Sequence, residues 1–186
     1  MKRNQLIQTS RDLFFKYGIK RVTVEEICKE AGVSKMTFYK HFKNKGELVK
    51  TMVILITDEA METYRNIMNS DLPFVEKIRQ TVQMKLDGTD KMSQEFMSDY
   101  LSNAEPEIYH FIHQRAREIY GIIIKDYAEA QKRGDIRQDI KIEFILWYLN
   151  KMIVLLEDKD LEKLYESPQD LIMEMVNFFF YGIMPR

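Results

Sequence analysis

Apolar residues along the first half of the chain recur three and four positions apart, the period of a helix that buries one face. Leu6, Ser10, Leu13, Phe14 and Tyr17 mark a first helix from about Arg3, stopped by Gly18. Val24, Ile27, Cys28 and Ala31 form a second, narrow stripe at i, i+3, i+4 and i+7. Thr23 followed by Glu26 is a capping box, which starts that helix at Val24. Gly32 is the residue able to leave it with positive φ, Val33 fills the angle, and Ser34 caps the next helix, Lys35 to His41. Asn44 and Glu47 repeat the capping-box pair, so a further helix opens at Lys45 and runs to about Asn69.

The rest divides at its turn residues. Ser70-Asp71-Leu72-Pro73 begins a helix that ends near Asp87-Gly88, and a shorter one spans about 90–101. Pro106 fits the first turn of a long helix whose stripe is Ile108, Phe111, Ile112, Ala116, Ile119, Ile123, Tyr127 and Ala130, closed by Gly134-Asp135. Another is expected from about Ile140 to Leu156, then a charged loop, Glu157 to Lys163. A last helix runs from Ser167-Pro168-Gln169-Asp170 to about Tyr181. No segment alternates as a strand does. The expected fold is all-α, with about nine helices.

Two helices joined by a short Gly-containing turn, the second of under three turns, make a helix-turn-helix. With Phe38 and Phe42 directed into a small core, about 100° per residue puts Met36 and Lys40 on the opposite side, flanked by Thr37 and Tyr39. Cations, hydroxyls and a thioether on one face suit phosphate oxygens and base edges. Charge points the same way. Residues 1–50 hold twelve Lys and Arg against five Asp and Glu, a net +7; the whole chain is −1, so the remainder is −8. A basic end on an acidic body is the electrostatic footprint of nucleic-acid binding.

The residues Leu6, Leu13-Phe14, Tyr17-Gly18, Thr23-Val24, Ile27, Ala31-Gly32-Val33-Ser34, Phe38-Tyr39, His41-Phe42-Lys43-Asn44-Lys45 and Glu47-Leu48 together resemble the DNA-binding domain of the tetracycline-repressor (TetR) family of bacterial regulators. The resemblance covers roughly the first 50 residues. It implies a three-helix DNA-binding domain over 1–48 and a helical ligand-binding and dimerisation domain over 49–186. It also implies roles: Tyr39 and His41 gripping phosphates, Thr23 and Lys45 meeting phosphates at helix starts, and Lys35, Met36, Thr37 and Lys40 at or near base edges, with Ser34 a further DNA-binding candidate at the helix start. Met36 stands where the family often has a small residue, and Lys40 where it often has a second aromatic, so the operator sequence does not carry over from relatives.

Seven Gly and four Pro in 186 residues leave few turns and agree with an all-helical chain. The single cysteine, Cys28, has no disulfide partner in the chain and sits on an apolar stripe as a small core residue. The N-terminus lacks an apolar signal region, and no apolar run is long enough to span a bilayer, so a cytoplasmic protein is expected. His110 and His113 are three apart, but no carboxylate–histidine signature surrounds them, and a surface or polar-core role is the simpler reading. Neither a phosphate loop nor a nucleophile elbow is visible. No enzyme, no metal and no cofactor is therefore expected.

Two helices are apolar almost all round: the one carrying Phe144, Trp147, Tyr148, Met152 and Leu155, and the one carrying Leu171, Met175, Phe178 and Phe179. Such helices must be covered on more than one side. A four-helix interface between two copies is one covering, and a buried pair within one protomer is the other. The interface candidates are Phe144, Met152, Leu155, Leu171, Met175, Phe178 and Phe179. Soft and aromatic residues on the middle helices are candidates for a small-molecule site, although most aromatics at helical spacing are simply core: Met84, Phe96, Tyr100, Phe111, His113, Tyr120, Ile123, Trp147 and Tyr148. The sequence thus reads as a homodimeric regulator, a repressor that binds palindromic double-stranded DNA and is released by a small-molecule effector. The alternative is a helical interaction bundle with only nonspecific nucleic-acid or protein binding.

Overall fold

A computed structural model describes residues 2–89, 91–100, 106–155, 158–165 and 168–183. The described residues form ten helical segments: α1 (Lys2–Tyr17), α2 (Val24–Glu30), α3 (Lys35–His41), α4 (Lys45–Met68), α5 (Phe74–Thr89), α6 (Gln94–Ser98), α7 (Pro106–Arg133), α8 (Ile142–Leu155), α9 (Lys159–Glu162) and α10 (Pro168–Ile183). They pack as two units, Met1–Thr63 with Asp87–Arg117, and Tyr64–Leu86 with Glu118–Arg186.

The first unit is built around the helix-turn-helix. α1 ends where Gly18 takes φ +83° and its N–H closes on the Phe14 carbonyl at 2.8 Å. The Thr23 capping box is complete: its hydroxyl accepts the Glu26 N–H at 3.2 Å, and the Glu26 carboxylate accepts the Thr23 N–H at 2.8 Å. α2 leaves through a Schellman motif. Gly32, at φ +61°, donates to the Lys29 carbonyl, and Val33 donates to that of Cys28. Ser34 then caps α3 by accepting the Thr37 N–H at 3.1 Å. At α4, Asn44 accepts the Glu47 N–H at 2.8 Å, while the Glu47 carboxylate reaches one residue further back, to the Lys43 N–H at 2.6 Å. Phe14, Ile27, Phe38 and Phe42 fill the centre, together with Leu48, Val49, Met52 and Val53 of α4, and Phe96, Ile108 and Ile112 complete the same core. The side chains that hold the reading head therefore continue past residue 48 into α4.

The second unit has its own core of Phe74, Ile78, Tyr127, Ala130, Ile136, Ile142, Ile145, Phe179 and Ile183. Gly134, at φ +87°, turns the chain out of α7. The Gln131 side-chain amide then ties the following turn by donating to the carbonyls of Arg137 and Ile140. Arg137 returns to the end of α10, its N–H on the Ile183 carbonyl at 3.0 Å.

Two boundaries differ from the sequence reading. The helix expected over about 90–101 begins only at Gln94, because Ser93 supplies its cap by accepting the Phe96 N–H. The charged loop contains one helical turn, Lys159–Glu162, because the Asp158 carboxylate accepts the N–H groups of Asp160 and Leu161.

Candidate nucleic-acid interface

The two sides of α3 are sharply unlike. Phe38 is fully buried, edge-on to Tyr39 at 5.3 Å and against Phe42 at 5.7 Å. On the other side Met36 is 70% exposed and Tyr39 56%, with Lys35, Lys40 and His41 also exposed. An exposed methionine one helical turn from an exposed tyrosine leaves apolar surface open to water, and such a surface is characteristic of a contact made outside the unit. Thr37 is half-buried, and its hydroxyl lies 3.0 Å from that of Ser34.

Besides Ser34 and Thr37 in the α3 cap, Lys35, Thr23 and Lys45 are engaged within the fold. The Lys35 ammonium pairs with Glu25 of α2. This hydrogen bond holds the Glu25 carboxyl below, and the lysine above, their ordinary values. Both groups are well exposed, so the pair is weak and can open when a phosphate approaches. The Thr23 hydroxyl is committed to its cap, accepting from the Glu26 N–H and donating to the Glu26 carboxylate at 2.9 Å. Lys45 differs more from its expected role. Its ammonium donates to the carbonyls of Ile19 (3.0 Å), Lys20 (3.3 Å) and Val22 (3.1 Å) rather than standing in solvent. An ammonium with three oxygen acceptors is fully satisfied, so the side chain is turned away from phosphate contact. Local spacing carried no signal for this, since its partners lie more than twenty residues upstream. Cys28 is buried in the core and burial pushes its thiol up, which suits a packing residue better than a reactive one.

The small-molecule candidates fall into both units. In the first, Phe96 is a core residue, packed against Phe15 at 4.8 Å and stacked on Tyr100 at 5.7 Å. Phe111 is half-buried with the Lys50 ammonium over its ring, and His113 lies tilted against Tyr109 at 4.1 Å. In the second, Tyr120, Ile123 and Tyr148 pack against the core, Met84 is half-buried, and Trp147 is 56% exposed. An open cleft of about 480 Å³ in the first unit is lined by Tyr17, Lys20, Arg21, Gln94, Glu95, Ser98 and Asp99. None of the nine candidates lines it.

The interface candidates separate by burial. Leu171 and Phe179 point into their own protomer, and Phe179 stacks on Tyr148 at 5.5 Å. This corrects their expected outward position. A helix apolar on all sides does not reveal from its sequence which side turns inward. Met175 is half-buried against the same core, whereas Phe144 and Phe178 are exposed. Trp147 and Tyr181, three residues beyond Phe144 and Phe178, share that exposure and were not among the interface candidates. The side chains of Met152 and Leu155 lie outside the described residues.

Residues 6–52 match the family described as "Bacterial regulatory proteins, tetR family". The HTH-type transcriptional regulator UidR of Escherichia coli K12 is 21% identical over 141 residues, covering 74% of this chain and 70% of that one. The HTH-type transcriptional repressor KstR2 of Mycolicibacterium smegmatis is 19% identical over 151 residues, 80% of this chain and 74% of that one. Among solved structures, reduced E. coli NemR superposes with a TM-score of 0.78 at 14% identity, covering 98% of this chain and 97% of its own. Among the described residues, no helix is long and apolar enough to cross a membrane. The capped helix-turn-helix, the basic outward face of α3 and the match over residues 6–52 lead to one conclusion: this segment is a DNA-binding domain like that of the tetR family of bacterial regulatory proteins, and the chain that carries it is a DNA-binding regulator of transcription.

Proposed function

We propose that the protein acts as a homodimer that places two copies of α3 in major grooves of a palindromic operator, represses transcription there, and is released by a small-molecule effector. Residues 1–48 serve as the reading head and 49–186 as the dimerisation and effector-binding body. The observation that carries this reading is the outward row of Lys35, Met36, Tyr39, Lys40 and His41 on a capped helix whose opposite side is anchored by fully buried Phe38. Tyr39 and His41 contact phosphates, and Met36, Thr37 and Lys40 approach base edges, with Ser34 holding the helix start. One such helix reads only a few base pairs. Two held roughly 34–36 Å apart read a palindrome, and their separation sets the specificity. An effector that prefers a dimer with differently spaced heads by on the order of 10²-fold, about 3 kcal/mol, shifts occupancy strongly. Within the second unit, the half-buried side chains Met84, Tyr120, Ile123 and Tyr148 support an apolar effector site, and effector binding is typical of the family.

Selection of bound sequences from a random-duplex pool at about 0.15 M salt tests the reading. The expected result is an enriched palindrome with two half-sites; salt-sensitive binding without enrichment overturns it. On the selected duplex, Thr37→Ala and Lys40→Ala should change which bases are preferred, by about 1–3 kcal/mol per lost contact. Binding-site profiles of the variants identical to that of the native protein would remove both residues from the base edges.

A further inference from the structure

The turn joining α1 to α2 is held from two sides by distant groups. Lys45, the first residue of α4, places its ammonium on the carbonyls of Ile19, Lys20 and Val22. Asp99, just past α6, accepts the Lys20 backbone N–H at 2.9 Å. The Ser93 N–H, at the start of α6, donates to the Phe15 carbonyl at 2.8 Å, and the Phe15 and Phe96 rings meet beneath. Gly18 lies inside this junction. A Cβ there would stand 2.9 Å from Asp99 Oδ2 and 3.2 Å from the Glu95 Cβ, and its φ of +83° is one that a side chain resists. The approach of Asp99 therefore depends on glycine both for conformation and for space. The clamped segment ends at Thr23, the cap of α2, so its path sets the direction in which α2, and with it α3, leaves α1.

We propose that Asp99 and Lys45 are positioning residues for DNA reading: acting on the backbone of residues 19–22 and touching no DNA themselves, they fix the angle at which α3 is presented. Both act through charge-assisted hydrogen bonds to main-chain groups, which are about twice as strong as neutral ones. The clamp is accordingly indifferent to the side chains of the turn. An unclamped turn leaves the head folded on its own core but free to pivot. A pivoting head loses the alignment that base contacts require sooner than it loses attraction to phosphates. The inference rests on the reading of α3 as the base-contacting helix.

The test measures full-length Asp99→Ala, Asp99→Asn and Tyr39→Ala against two probes, a duplex selected from the random pool by the native protein and a random-sequence duplex. Asp99→Ala should weaken binding to the selected duplex by about tenfold, a loss of about 1.4 kcal/mol, and leave the random duplex within about twofold. The slope of affinity against salt should stay unchanged, because no phosphate contact is removed. Asp99→Asn, whose amide oxygen can still accept the Lys20 N–H, should recover most of the loss. A merely structural role would show as a lowered melting temperature with equal losses on both duplexes. Lys45→Met should resemble Asp99→Ala if it folds; if it does not fold, the Asp99 pair alone decides. Selected-duplex affinity within twofold of native for Asp99→Ala, or an Asn variant as damaged as Ala, overturns the clamp. Tyr39→Ala separates the two ideas. If it weakens both duplexes while Asp99→Ala weakens neither, the clamp fails and the reading helix stands; if it too has no effect, the reading helix itself is misassigned.

Discussion

Phe178→Asp is expected to split the protein into 22.3-kDa single chains and to remove binding to a two-half-site duplex. Phe178 is 77% exposed on α10 and Tyr181, three residues on, is 81% exposed, while Phe144 and Trp147 lie open at the same spacing on α8. The Phe144 and Trp147 rings stack at 6.1 Å, and the two helices are joined beneath by the Tyr148–Phe179 stack. Four large aromatics left open on two packed helices form the kind of apolar patch that a lone chain rarely presents to water. A carboxylate at its centre must be desolvated, unpaired, whenever two such surfaces meet, and that penalty is several kcal/mol. The protomer itself should keep its helical content, because Phe178 contributes nothing to the protomer's own core. Phe179→Asp, one position along, should unfold the second unit instead. Unlinking the heads also removes the effective concentration that joins two weak half-site contacts, which is worth on the order of 10²–10⁴-fold. Sedimentation equilibrium gives the direct reading, and an unchanged dimer mass for folded Phe178→Asp would place the interface elsewhere.

Phe38→Ala and Tyr39→Ala, adjacent on α3, are expected to fail in opposite ways. Phe38 has no exposed surface and is the ring against which Tyr39 and Phe42 pack. Truncating a buried phenylalanine costs about 3–5 kcal/mol, and for a chain of this size each kcal/mol lowers the melting temperature by about 2–4 °C. Phe38→Ala should therefore melt roughly 6–20 °C earlier and lose DNA binding because α3 no longer has a floor. Tyr39 is more than half exposed, so its truncation should move the melting temperature by little while weakening every duplex alike, as expected of a phosphate contact. Calorimetry beside a binding titration distinguishes the cases. A Tyr39→Ala variant that melts early, or a Phe38→Ala variant that melts as native, would invert the assignment of the two faces.

The parts of this protein that are legible in its sequence are those decided within a few residues. The capping box of Thr23 and Glu26, the Gly32 exit, the Ser34 cap and the start of α4 were all readable, because each is a hydrogen bond between groups at most five positions apart. The exposed row of α3 was readable for the same reason: Phe38 and Phe42 identify the inner side, and the helical period dictates the other. Tertiary structure alone decided the matters in which partners lie far apart along the chain. Lys45 turns inward to carbonyls 23 to 26 positions away, Asp99 meets Lys20 across 79, and Lys35 meets Glu25 from the neighbouring helix. The same holds for the all-round apolar helices α8 and α10. Nothing in the order Phe178-Phe179-Phe180 distinguishes an inner ring from an outer one; only the packing of Phe179 on Tyr148 breaks the tie. Local hydrogen bonds are encoded by spacing, but a long-range contact becomes definite only after the core has chosen which faces to bury.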